Sequence, residues 1–234
     1  MPKSLFHYFT KKIFAKLAIL TQIPIRLVAH QNVIENKQNN ANYQWIAANN
    51  DPQLLILKQR HLLKGLRKRF KPGWYVLQID LVHPQPCHHT AKLYIDYGQG
   101  MTDQDSTLLP LRPHKHTTRI IYLKAPPTTL RIDPTETEGV FGLRLLRLIR
   151  LPAFFAISRQ CLRIKMLHPN YQGLTTHQIK QQLHKKAKEN QQTLAQVILT
   201  TYNQTFTNFQ VEKDYNQWIE LTEKPLLDKY LQTQ

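Results

Sequence analysis

Glycine, cysteine and acidic residues are scarce, and no long apolar run is present. With 7 glycines against 14 prolines, the chain lacks a phosphate-cradling glycine loop and any Gly-rich nucleotide-binding turn. Its two cysteines, Cys87 and Cys161, cannot build a disulfide framework, and nothing points to an oxidising compartment. No segment reaches the ~18–20 uninterrupted apolar residues that a membrane-spanning helix needs. The nearest approach, 5–28, is broken by Lys11, Lys12, Lys16 and Arg26. Lys16, with no small-residue cleavage site after it, also argues against a secretory leader, so the expectation is a cytoplasmic protein. Acids are outnumbered, 15 against 32 Lys and Arg, for a net charge of +17. Such an imbalance favours a polyanionic neighbour: nucleic acid, an anionic bilayer or a phosphorylated substrate. The rest is ordinary: 234 residues, 41% hydrophobic and 9% aromatic, enough to bury a real core and too apolar for wholesale disorder.

The positive charge is concentrated. Residues 1–72 hold 13 Lys and Arg against 2 acids, a net of +11. Residues 73–151 hold 9 against 7, and 152–234 hold 10 against 6. A nucleic-acid module would pair such a cluster with a recognisable reader. There is no Cys/His finger spacing, no ribonucleoprotein signature and no basic region feeding heptads. Two basic elements make up the cluster. In 4–22, Leu5, Phe6, Phe9, Ile13, Phe14, Leu17 and Leu20 recur at helical steps, with Lys11, Lys12 and Lys16 on the other side. Pro24 stops this pattern. The run 58–71 carries seven Lys and Arg, among them Lys64, Arg67, Lys68, Arg69 and Lys71, and no acid. Such a pair suits a peripheral anchor on an anionic membrane surface. The plain alternatives are a helix packed on the rest of the protein and a solvated hairpin turn.

Periodicity divides the chain into a basic amphipathic helix (1–30), a polar Asn/Gln-rich linker (31–42), a β-sandwich (43–151) and a helical segment (152–234). Short runs rich in Leu, Ile, Val and Tyr at 53–57, 73–82, 92–97, 117–123, 129–133 and 141–151 lie between Pro and Gly punctuation. That spacing predicts a mainly β fold, a jelly-roll-like antiparallel sandwich with helical flanks. In 73–82, Tyr75, Leu77, Ile79 and Leu81 point one way and Trp74, Val76, Gln78 and Asp80 the other. In 143–151 the arginines fall every third residue, which a bulged strand accommodates. Past Pro152 the period turns helical: one helix closed by His168-Pro169, a second capped by Thr175 or Thr176, a third over 193–206. A last short helix would hold Tyr215, Trp218, Ile219 and Leu221.

No reaction is specified. There is no Gly-x-Ser-x-Gly elbow and no His-Glu-x-x-His helix. The only Asp-x-Asp triplet, Asp103-Gln104-Asp105, sits in a polar turn with no nucleotide-binding α/β unit before it. His83, Cys87, His88, His89, His114 and His116 are of the right types for zinc. Intervening prolines and the adjacency of His88 and His89 leave that cluster without ligand geometry, and neither metal nor cofactor is expected. A mixed polar sheet face is the remaining candidate. Tyr94, Asp96, Arg131 and Asp133 put an aromatic ring beside carboxylates and a guanidinium, which suits the hydroxyls and apolar ring face of a saccharide. An ordinary solvent-facing sheet with cross-strand ion pairs has the same composition.

One resemblance covers roughly 180 residues. Its elements, in order, are Asp51-Pro52-Gln53, Pro72-Gly73-Trp74-Tyr75, Ala91-Lys92-Leu93-Tyr94-Ile95-Asp96 with Gly98 and Gly100, Leu109-Pro110-Leu111-Arg112, Leu130-Arg131-Ile132-Asp133-Pro134, Gly139-Val140-Phe141 and Arg150-Leu151-Pro152-Ala153-Phe154. Tyr202-Asn203, Asp214-Tyr215 and Trp218-Ile219-Glu220 follow. This series resembles the N-terminal, non-catalytic region of bacterial family 2 glycosyltransferases of O-antigen and surface-polysaccharide synthesis. In those proteins a nucleotide-sugar catalytic domain comes next, whereas this sequence runs fourteen residues past Glu220. The basic run 58–71 is a further departure. The resemblance implies an accessory or targeting module of a truncated or split transferase at the inner face of the cytoplasmic membrane. Its partners would be a glycosyltransferase catalytic domain, the anionic membrane surface and a saccharide, with helices that expose an apolar patch for a partner. The alternative is a basic nucleic-acid-binding protein.

Overall fold

Gly73–Val82 folds as its alternation requires, with Tyr75, Leu77, Ile79 and Leu81 buried in one core. The computed structural model describes residues 22–23, 25–37, 42–58, 70–85 and 88–218. The chain separates into two units, Met1–Ala156 and Ile157–Gln234. In the first, the strands are β1 (Gln22–Ile23), β2 (Ile25–Gln31), β3 (Val33–Glu35), β4 (Trp45–Ala47), β5 (Gln53–Lys58), β6 (Gly73–Val82), β7 (His89–Asp96), β8 (Ser106–Leu111), β9 (His116–Leu123), β10 (Thr129–Asp133) and β11 (Gly139–Leu151). One sheet runs β3-β4-β11-β6-β9, with β1 also on β11; the other runs β2-β5-β10-β7-β8. Every pairing is antiparallel. The unit is a jelly-roll-like β-sandwich.

The core lies between the sheets. Leu54, Leu93, Leu109, Leu130 and Ile132 come from one, and Tyr75, Leu77, Ile79, Leu81, Phe141 and Leu148 from the other. Each such side chain withdrawn from water contributes about 1.5–3 kcal/mol before entropy is counted. The odd arginine spacing of β11 has a structural cause. Its register against β6 shifts between Leu143 and Leu145, so Arg144 is the extra residue of a bulge and reaches Asp80 at 3.0 Å. Gly142 is required by close approach, since a Cβ there would meet the Asn42 carbonyl oxygen at 1.8 Å.

Two boundaries differ from expectation. Within the segment 1–30, expected from its sequence to be an amphipathic helix, residues 22–23 form β1 and 25–30 belong to β2, which runs on through Gln31. The helical period ends at Pro24, beyond which Ile25, Leu27 and Ala29 alternate onto the core while β2 pairs with β5. The linker over 31–42 contains β3, because Val33 has a buried site and pairs with Ala47. The helix expected over 4–22 otherwise lies outside the described residues. β8 carries no clear strand signal because Pro110 falls inside it. Proline is tolerated there since β8 is an edge strand and leaves one side of its backbone unpaired.

The second unit is helical. α1 (Ala153–Leu167) crosses into it, followed by α2 (Thr176–Glu189) and α3 (Leu194–Trp218). Thr175 is the N-cap of α2: its Oγ1 accepts from the Gln178 N–H at 3.2 Å, and Gln178 Oε1 accepts from the Thr175 N–H at 2.9 Å. Thr193 and Gln196 repeat this reciprocal box ahead of α3. Ile179, Leu183 and Ala187 form the buried stripe of α2. Arg163 of α1 donates to Thr205 Oγ1 at 2.9 Å and lies 3.7 Å from the Phe206 ring centre on α3. The separate helix expected around Tyr215 is instead the continuation of α3 through Trp218. Nothing in 194–218 interrupts the helix: no proline or glycine falls there.

Candidate functional site

Strand alternation sends Ala91, Leu93 and Ile95 of β7 and Leu130 and Ile132 of β10 into the core. Lys92, Tyr94, Asp96, Arg131 and Asp133 therefore share the outward face. Cross-strand register sets Arg131 opposite Tyr94 on one side and Leu55 on the other, and Asp133 opposite Lys92. Arg131 is the hub. Its guanidinium lies 4.3 Å from the Tyr94 ring centre, donates to Asp133 Oδ2 at 2.9 Å and to Gln53 Oε1 at 3.0 Å. Gln53 in turn donates to Asp51 Oδ2 at 2.8 Å. Lys92 lies 4.9 Å from the Tyr94 ring centre and donates to Asp103 Oδ1 at 2.6 Å, which also accepts from the Tyr94 hydroxyl at 3.3 Å.

Burial raises the Asp133 carboxyl to about 6, against the pull of Arg131, and Asp51 nearby adds to the rise. Burial also opposes charge on Lys92, but Asp103 and Tyr94 outweigh it and hold the ammonium above its ordinary value. The hydrogen bond from Lys92 pulls Asp103 down. Two polar atoms of the cluster, Arg131 Nε and Asp133 Oδ1, are buried without a hydrogen-bond partner. A buried polar group in that state costs about 1–3 kcal/mol.

Of the four saccharide candidates, the structure joins Tyr94, Arg131 and Asp133. Asp96 has another duty: its Oδ1 accepts from the Gly98 N–H at 2.7 Å and the Gly100 N–H at 3.0 Å, shaping the turn after β7. Gln53, Lys92 and Asp103 complete the cluster. Lys92 is visible in the alternation, whereas Asp103 enters only because the 3₁₀ turn at Asp103–Asp105 folds back on β7. The two carboxylates of Asp103-Gln104-Asp105 go separate ways, Asp103 to Lys92 and Asp105 to Lys124 at 2.7 Å. Of the residues proposed to meet an anionic surface, Lys71 is exposed. Lys11, Lys12, Lys16, Lys64, Arg67, Lys68 and Arg69 lie outside the described residues. Among the described residues no helix is long and apolar enough to cross a membrane.

No protein-family model matches this chain, and neither does any curated protein. The solved structures similar to it include three carbohydrate-binding modules. A family 35 module from Paenibacillus barcinonensis is 9% identical, over 56% of this chain and 96% of that one, with a TM-score of 0.35. A family 35 module from Clostridium thermocellum is 10% identical, over 53% and 92%, at 0.34. A module of Cellvibrio mixtus lichenase 5A in complex with cellotriose is 10% identical, over 56% and 90%, at 0.32. Scores this low carry no inference about ligand, so the site is read from its own side chains.

The histidines form a different object. The Gln85 N–H donates to His83 Nδ1 at 3.1 Å, so in the neutral ring the proton is on Nε2, which faces Thr137 Oγ1 at 3.1 Å. Thr137 Oγ1 then donates to Thr135 Oγ1 at 2.9 Å, and Thr135 to His89 Nδ1 at 3.0 Å. His89 Nε2 is left facing the Gln85 carbonyl at 3.5 Å. Hydrogen-bond direction thus closes a circuit that begins and ends on Gln85, with the two rings 4.1 Å apart. His114 serves a turn, at φ 60° with its N–H donated to the Leu81 carbonyl. Among the described residues no group of three or more His, Cys, Asp or Glu could hold a metal ion.

Proposed function

We propose that this chain is a non-catalytic accessory or targeting module of bacterial surface-polysaccharide glycosylation, and that its sandwich binds saccharide on the outward face of β5, β10 and β7. One observation carries the reading: Arg131, Asp133, Gln53, Lys92 and Tyr94 gather hydrogen-bonding groups around an aromatic ring. Such an array suits hydroxyl-rich ligands that also offer a C–H face. In this reading its chemistry is binding. A glycosyltransferase catalytic domain is the protein partner in this reading, and the inner face of the cytoplasmic membrane is its location.

The test is a panel of bacterial surface polysaccharides and their oligosaccharides, followed by calorimetry on any binder. Tyr94→Ala and Arg131→Ala are expected to weaken binding at least tenfold, about 1.4 kcal/mol. Thr129→Ala, on β10 but outside the cluster, is expected to leave it unchanged. An absence of binding across the panel, or equal affinity in all three variants, would remove the saccharide reading.

A further inference from the structure

α1 has two faces of opposite character. Ala156, Gln160, Cys161 and Ile164 are buried, whereas Leu162, Met166 and Leu167 are exposed to 42%, 66% and 47%. At roughly 100° per residue, Leu162 and Met166 fall at the middle of the outward arc, with Lys165 on one flank and Arg159 on the other. Phe154, earlier on the same helix, is exposed to 74%. Phe154 and Leu167 lie off this arc, so the outward face carries Leu162 and Met166 together as a small apolar patch rimmed by cations.

Charge identifies what covers this face. α1 contains no acid, and residues 157–206 hold seven Lys and Arg against the single acid Glu189, while 207–234 add three Lys and five acids. Lys185, Lys186 and Lys188 of α2 are exposed as well. Protein interface cores are enriched in Met and Arg but depleted in Lys, so it is the lysines, Lys165 of α1 and those of α2, that speak against a protein partner. A nucleic acid would engage the cations and leave Leu162 and Met166 idle. An anionic bilayer uses both sets: apolar side chains enter the headgroup–acyl boundary while Lys and Arg extend their stems along it to the phosphates.

We propose that the outward face of α1 is a docking surface for an anionic lipid bilayer, with Leu162 and Met166 inserted and Arg159 and Lys165 meeting lipid phosphates. It is independent of the saccharide site. It also needs neither basic element of the first 72 residues, and a patch foreseen for a partner protein is thereby assigned to lipid.

The experiment uses the full chain and vesicles of phosphatidylcholine alone or mixed with phosphatidylglycerol, read by co-sedimentation. The wild type is expected to bind the mixed vesicles. Leu162→Ser with Met166→Ser, two exposed positions that leave the core intact, is expected to bind them about tenfold less well. That loss should persist at high salt, because it is apolar in origin. Arg159→Gln with Lys165→Gln should bind less well at low salt only. Met166→Trp should show a blue-shifted emission on mixed vesicles. Equal binding by the wild type and the double Ser variant overturns the proposal, even where other parts of the chain hold it to the vesicle. Absence of wild-type binding, or an unshifted Trp emission, overturns it too. Loss of saccharide binding in Tyr94→Ala with vesicle binding intact, and the reverse in the Ser variant, keeps the two readings separable.

Discussion

Asp133 is held where its charge is costly. Its carboxyl is almost wholly buried, one oxygen faces Arg131 at 2.9 Å and the other has no partner. Burial wins over the ion pair, and the group titrates at about 6 rather than 3.8. The folded chain therefore holds this proton more tightly than the unfolded chain does. Its contribution to stability is fully present below the unfolded value of 3.8 and is lost as pH rises through about 6. Between pH 7 and pH 5 the wild type should gain about 1 kcal/mol over Asp133→Asn, since a tenfold difference in proton affinity is worth about 1.4 kcal/mol. Urea midpoints of the two proteins at both pH values measure this directly. Parallel changes in the two would mean that Asp133 titrates as an exposed carboxylate. His83 does not confuse the comparison, because both proteins carry it. Saccharide affinity belongs to the same titration: a neutral Asp133 can donate a hydrogen bond that the ion cannot.

The circuit of His83, Thr137, Thr135 and His89 ties the end of β6 and the start of β7 to the loop between β10 and β11. Burial holds His83 below its ordinary 6.5. The unfolded chain takes up this proton first, so stability from the circuit is complete above about 6.5 and falls as pH drops below it. Thr137→Val keeps the shape but orphans His83 Nε2 and removes the bond to Thr135 Oγ1, leaving the contact between Thr135 and His89 in place. A loss of about 1–3 kcal/mol is expected at pH 7.5, from chemical denaturation. An unchanged midpoint would mean that the bond between His83 and Thr137 contributes nothing.

Strands differ in how plainly a single sequence announces them. β6, β9, β10 and β11 are legible because apolar alternation is dense there and turn residues bound each run. β2 to β4 are not, because Asn and Gln dominate their surroundings and a strand of three residues, such as Val33–Glu35, carries almost no periodicity. The arginine spacing fits a bulged strand or a short helix, and it is the pairing with β6 and the reach of Arg144 to Asp80 that make it a bulge. Strand period puts Tyr94 on the polar face of one strand and Arg131 and Asp133 on that of another, and the pairing of β7 with β10 brings them together. Gln53 and Asp103 reach the same cluster through an adjacent strand and a folded-back turn, neither of which leaves a local mark.

Over the full chain, charge is the dominant property, and its uneven distribution yields a test. Residues 1–72 carry +11 of the total +17, while α1 combines few cations with exposed apolar groups. These two sources of attraction to an anionic surface differ in their response to salt. Screening shortens from about 10 Å at 0.1 M to about 3 Å at 1 M, so a purely basic element loses its grip while an inserted side chain does not. Replacing Lys64, Arg67, Lys68 and Arg69 with Gln removes four cations worth about 1 kcal/mol each near an anionic leaflet. At low salt that variant is expected to lose more than a hundredfold in binding to phosphatidylglycerol-containing vesicles, with its thermal midpoint unchanged. At high salt it should approach the wild type, where the Leu162 and Met166 double variant still lags. Competition with duplex DNA or RNA at matched charge decides the alternative: if nucleic acid displaces the vesicles at submicromolar concentration and the four-Gln variant loses that affinity with a shallower salt slope, the basic third of the chain is a nucleic-acid surface. If vesicles prevail, its cations serve the same bilayer as α1.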